Sequence, residues 1–174
     1  MINKLSVLEN QIALIVLLVG AVNLLGWATS NNDIINIKSA DTNMKASTAI
    51  MFVLYGGWAL SEIGWMKRGF YSTSVMIAVT TVLGRISADL TLEESRTAVP
   101  PIIVCMLLII QPVRHWATGA ITATIAAAAI LGHAIAVPLL YWHTQVTQGM
   151  SPMTAMLLLM IGCVTCRAVS RGNV

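Results

Sequence analysis

A chain of 174 residues that is 57% hydrophobic and 10% charged, with a net charge of +3 and a mean hydropathy of +0.80, is not a soluble domain, which carries about 25% charged residues. Its basic residues are dispersed rather than gathered into a patch, which excludes a nucleic-acid footprint. Three cysteines, Cys105, Cys163 and Cys166, all lie in apolar runs and imply no disulfide framework.

The composition predicts an all-α, polytopic transmembrane helix bundle, a single integral membrane domain over residues 1–174. A crossing of the hydrocarbon core, about 30 Å, takes about 20 mostly apolar residues. Six predicted spans meet that requirement, the first over 10–28. Lys4 gives this run the look of a signal peptide. Glu9 at its start and the poor cleavage site Gly26-Trp27-Ala28 make it a retained span. A loop rich in Asn and Asp, 29–45, leads to the second span, 47–66, which ends at Trp65. The third, 71–91, is interrupted by Arg85 and Asp89. The fourth, 99–116, opens on Pro100-Pro101, where a first turn tolerates proline, and Gln111-Pro112 marks a kink near its end. The fifth, 118–142, ends in Tyr141-Trp142. Its stretch from Ala117 to Ala129 is nearly all Ala, Thr, Gly and Ile, a smooth surface suited to close packing. Thr118, Thr122, Thr124 and His133 on this helix would instead line a polar path if several copies assembled. The sixth span, 152–170, has Pro152 in its first turn.

Six spans place the amino terminus, the loops 67–70 and 114–117 and the carboxy terminus on one side, with Lys4, Lys67, Arg68, Arg114, Arg167 and Arg171. The other side holds Lys38, Lys45 and Arg96, diluted by Asp33, Asp41, Glu93 and Glu94. The excess of Lys and Arg marks the cytoplasmic side, so both termini are expected in the cytoplasm and the protein in the bacterial cytoplasmic (inner) membrane. Trp27, Tyr141 and Trp142 form the outer aromatic belt, and Trp65, Tyr71 and Trp116 the inner one.

One motif occurs twice. Met44-Lys45-Ala46-Ser47-Thr48-Ala49 leads through six apolar or aromatic residues to Gly56, and Met150-Ser151-Pro152-Met153-Thr154-Ala155 leads likewise to Gly162. Met, Thr, Ala and Gly recur in one register, 106 residues apart, each after an apolar span and a polar loop. Such self-similarity predicts a parallel internal repeat, with copies near 10–66 and 118–170. Ala49 and Gly56, like Ala155 and Gly162, are seven apart on nearly one helix face, where small residues let helices approach. Helix start and packing explain the motif better than a ligand contact does.

Ionisable and strongly polar groups within spans are costly and are the default candidate site. Arg85 and Asp89, four apart, share a face and can pair, either as a structural ion pair or as an anion or proton site. His133 in Gly132-His133-Ala134 needs a partner, such as Asn23 on the first span or a backbone carbonyl. Packing accounts for it more simply than proton sensing. Glu62 is an interfacial partner for Lys67 or Arg68. Cys163-Val164-Thr165-Cys166 has redox spacing, but lies inside an apolar helix with no second pair. The sequence holds no phosphate loop, nucleophile elbow or metal-spaced His and Glu pair. The expectation is a protein with no enzymatic activity, no cofactor and no metal.

The motif itself resembles a signature in the membrane regions of bacterial sensor histidine kinases and diguanylate cyclases, a Met-Ser-Pro-Asn-Thr-Ala-like sequence before a Leu-rich helix, sometimes present twice. Residues 150–155 match it with Met153 in place of Asn, while the first copy departs further at Lys45 and Ala46. The resemblance covers some 40 residues directly and most of the chain by architecture. It implies a membrane-embedded sensory bundle. In that family signalling domains follow, whereas this chain stops at Val174, so the resemblance implies a bundle and not an activity. Three functions stand side by side: a stand-alone sensory or accessory module binding a small ligand or a partner membrane protein; a phage holin-like pore-forming lysis protein that acts by self-association; and a small transporter or channel working through Arg85, Asp89 and His133. Small size, the smooth fifth span and a short basic tail favour the holin, and six spans count against it.

Overall fold

The computed structural model describes residues 7–29, 44–90, 99–113, 115–141 and 149–170. The described residues form six α-helices: α1 (Val7–Ala28), α2 (Ala46–Leu60), α3 (Gly64–Leu90), α4 (Val99–Ile110), α5 (Trp116–Ala134) and α6 (Pro152–Ser170). Short 3₁₀ turns at Gln111–Val113 and Pro138–Tyr141 follow α4 and α5.

The six-span expectation is corrected here. Among the described residues three helices, α1, α5 and α6, are long and apolar enough to cross a membrane. A helix rises about 1.5 Å per residue, so the 15 residues of α2 and the 12 of α4 fall well short of the hydrocarbon thickness. The 27 residues of α3 have the length but include Lys67, Arg68, Arg85 and Asp89. Each shortfall has a local cause. The predicted second span, 47–66, ran through Ser61-Glu62-Ile63, but Ser61 turns extended (ψ 130°) with its N–H bonded to the Gly57 carbonyl, and the next helix starts at Gly64. The fourth stops at Ile110, where Gln111-Pro112-Val113 tightens into a 3₁₀ turn. The fifth stops at Ala134 rather than at 142. Ala136 adopts φ 53°, and the Val137 N–H bonds back to the Gly132 carbonyl at 2.8 Å, a Schellman-type closure. The assignment of both termini to the cytoplasm, and the parallel sense of the repeat, followed from the six-span count and fall with it. Lys4, Lys38, Arg96, Arg114 and Arg171, the acidic residues Asp33, Asp41, Glu93 and Glu94, and Trp142 lie outside the described residues.

The 106-residue register runs through the packing. α1 and α5 end at Ala28 and Ala134, and α2 and α6 begin at Ala46 and Pro152, the same offset at both points. On α1 the buried residues Ala13, Val16, Gly20, Asn23 and Gly26 answer to Gly119, Thr122, Ala126, Ala129 and Gly132 on α5. On α2, Thr48, Ala49, Met51, Phe52, Gly56 and Ala59 answer to Thr154, Ala155, Leu157, Leu158, Gly162 and Thr165 on α6. The chain is thus built on two helical hairpins, α1–α2 and α5–α6, joined where α1 meets α6. Between them in sequence, α3 packs on α2 and α4, and α4 reaches α2 and α5.

The glycines explain the tight pairing. A Cβ on Gly56 would stand 2.8 Å from the Ala13 carbonyl and 2.6 Å from the Leu17 Cβ. One on Gly162 would stand 2.8 Å from the Gly119 carbonyl and 2.6 Å from the Ala123 nitrogen. Backbone meets backbone at both crossings, as small-residue interfaces allow.

Apolar residues cover much of the surface as well as filling the core. Leu14, Leu18, Val22 and Leu25 line an exposed face of α1, and Met76, Val79 and Leu83 are exposed on α3. The interior holds Asn23, Thr48, Gln111, Thr122, Thr154 and Thr165 among its apolar residues. A surface of that kind suits hydrocarbon, not water.

Candidate functional site

Polar side chains gather at two places, at opposite ends of α1 and α6. The first surrounds the start of α6. Ser151 caps that helix, its Oγ accepting the Thr154 N–H at 3.2 Å and pairing with the Thr154 hydroxyl at 2.8 Å, with Pro152 at the first helical position. Lys45, the equivalent residue in the first copy, makes no side-chain cap. His133 lies in the last turn of α5, not midway along a span, because the helix ends one residue later. Its Nε2 lies 2.8 Å from the Met150 carbonyl. A carbonyl only accepts, so Nε2 carries the proton. The imidazole stacks on Tyr141 with centroids 3.9 Å apart, and the Met150 N–H donates to the Tyr141 carbonyl at 2.8 Å. Asn23, almost fully buried on α1, donates to the Val19 carbonyl at 3.1 Å and to Met153 Sδ at 3.4 Å. Asn23 and His133 therefore both close on the second motif copy.

The first copy has its own version of the His133 contact. Trp27 Nε1 donates to the Met44 carbonyl at 3.0 Å. Trp27 and His133 are 106 residues apart, as are Met44 and Met150. Each hairpin is latched by a ring N–H on its first helix bonded to the carbonyl before its second. All eight motif positions, Met44, Thr48, Ala49, Gly56, Met150, Thr154, Ala155 and Gly162, are buried.

The second cluster escaped the sequence reading. Gln111 Nε2 donates to Thr122 Oγ1 at 2.6 Å, and Thr165 Oγ1 donates to Gln111 Oε1 at 2.7 Å. Thr122 Oγ1 in turn donates to the Thr118 carbonyl at 2.8 Å. The three side chains tie the end of α4 to α5 and α6, all within the buried core. Beside them lies a cavity of about 30 Å³, lined also by Glu9 of α1 and by Tyr55 and Trp58 of α2. Lys67 sits over the Trp58 ring, 5.9 Å from its centroid.

Arg85 and Asp89 lie in the last turns of α3, four residues apart. Their side chains lie outside the described residues. Cys163 is exposed while Cys166 is half-buried, its thiol 3.7 Å from the Trp116 carbonyl, and both are free thiols. Among the described residues no group of three or more His, Cys, Asp or Glu is placed to hold a metal. The chain matches no family model, no curated protein and no solved structure. What the fold defines is an all-α bundle with several apolar helices, suited to association with a membrane.

Proposed function

We propose that the chain is a multi-pass protein of the bacterial cytoplasmic membrane that serves, without a reaction of its own, as a sensory or accessory module for a small ligand or a partner membrane protein. One observation carries this reading: among the described residues the core is closely packed, with a cavity of about 30 Å³ beside Gln111. Phe52, Met51, Leu158 and Ile161 occupy its interior, and the polar groups between them are engaged by each other or by backbone carbonyls. A closed, well-packed interior suits a module that changes its packing on binding, and a channel needs the reverse. The motif resemblance leads to the same class.

The test is induced expression in a bacterium while membrane potential and culture density are followed. A sensory or accessory module accumulates in the membrane with the potential intact, and crosslinking then identifies its neighbour. Abrupt depolarisation with arrest or lysis refutes the proposal in favour of a holin-like pore assembled from several copies. Graded ion flux without lysis refutes it in favour of a channel.

A further inference from the structure

Where α1 meets α6, adjoining the cavity at Gln111 and sharing Ile12 and Val164 with it, the surface opens into a groove of about 320 Å³. This is at the lower end of the range of about 300–1,000 Å³ in which proteins hold ligands. Leu8 and Ile12 form one wall. The other is a single stripe of α6, in which Leu159, Met160, Cys163 and Arg167 succeed one another at helical spacing. From Leu159 to Arg167 the stripe runs about 12 Å along the helix. It is apolar throughout and ends in a guanidinium.

An elongated apolar slot closed at one end by a cation is complementary to an amphiphile with an anionic head. We propose that this groove binds an anionic phospholipid, with the first part of an acyl chain lying between Leu8, Ile12, Leu159 and Met160 and the phosphate paired with Arg167. The guanidinium fork matches phosphate oxygens in geometry as well as charge. Arg167 lies in the last turn of a helix long enough to cross the bilayer, where a long basic side chain extends to the head-group level. The neighbouring carboxylate, Glu9, is buried in the adjoining cavity beside Gln111 and does not line the groove, whose charged lining residue is Arg167. The inference rests on the membrane reading.

Cys163 provides a native probe, because it is exposed and lines the groove. The full chain is reconstituted into phosphatidylcholine bilayers with and without phosphatidylglycerol. Alkylation by a membrane-permeant maleimide is followed at Cys163, resolved from Cys166 by fragment mass spectrometry. Phosphatidylglycerol is expected to slow alkylation of Cys163 by roughly fivefold, the preference one basic side chain gives at an anionic surface, and soluble inorganic phosphate to leave it unchanged. Arg167→Gln is expected to abolish the difference. Leu8→Trp, which fills the mouth of the groove and keeps the charge, should abolish it as well. Equal rates in the two bilayers, or a lipid effect that survives Arg167→Gln, overturn the site while leaving the membrane reading intact. A protein released from membranes by alkaline washing overturns both.

Discussion

Replacing Gly162 by alanine adds one methyl group at the crossing of α5 and α6. That carbon would stand 2.6 Å from the Ala123 nitrogen, 2.8 Å from the Gly119 carbonyl and 2.9 Å from the Ala123 Cα. All three neighbours are backbone, so no side chain can swing aside and the two helices must part. Overpacking of this kind costs about 2 kcal/mol, set against a helix-propensity gain of about 1 kcal/mol. The net loss lowers the Tm by about 2–4 °C for a chain of this size. Gly69, in the interior of α3, is the control: a Cβ there has nothing within 4 Å. Gly69→Ala takes the propensity gain alone, about 1 kcal/mol, and raises the Tm by about the same amount. The assay is thermal loss of helical circular dichroism in one detergent, with gel filtration to verify the starting state. Opposite signs are expected, and Gly56→Ala should behave as Gly162→Ala does. If Gly162→Ala is as stable as the parent, the backbone-to-backbone crossing is not what holds the second hairpin together.

Three further outcomes follow from contacts of other kinds. Thr165→Val removes the donor to Gln111 and leaves a buried amide oxygen short of a partner, for a loss of about 1–3 kcal/mol; adding Gln111→Leu should recover part of it, and a purely additive double mutant would show that the pair does not interact. His133→Phe and Trp27→Phe each delete a ring N–H that meets a carbonyl, and each should destabilise by about 1–3 kcal/mol; His133→Trp should retain more stability than His133→Phe in the same melt. Ala136→Gly relieves a left-handed backbone at φ 53°, a gain of about 1 kcal/mol, while Ala136→Val should lose stability.

The repeated motif was legible in the sequence because Met, Thr, Ala and Gly recur as the same letters. The larger correspondence was not. Trp27 and His133 share no letter and no ordinary similarity, yet occupy one position because each presents a ring N–H. Val16 and Thr122 likewise share a buried position, one apolar and one polar. The span count failed for a different reason. Hydropathy averages over a window and does not register a backbone that turns, so it carries long helices through Ser61-Glu62-Ile63 and Gln111-Pro112, where the chain breaks them. The Gln111 cluster was hidden because its members come from three separate segments, Gln111 after α4, Thr122 on α5 and Thr165 on α6. Thr122 and Thr165 can bond carbonyls of their own helices, at Thr118 and Ile161, so nothing local marks them as parts of one network. Asn23 and His133 were recognisable as buried polar groups by type, but their partners became visible only once α6 was placed.

The matching hairpins bear on how the chain assembles. In each, 17 residues separate the two helices, from Ala28 to Ala46 and from Ala134 to Pro152. The entropic cost of closing a connection grows only slowly with its length, and the ring N–H latch and glycine crossing then form within one half, with no contribution from the other. The first hairpin therefore holds every contact needed for its own closure once Leu60 has been made, before α5 exists. The two halves then meet along α1 and α6 and through α4, which reaches α2 and α5. Damage at a crossing should slow the maturation of one half, whereas damage at the α1–α6 seam should leave two sound halves that fail to meet.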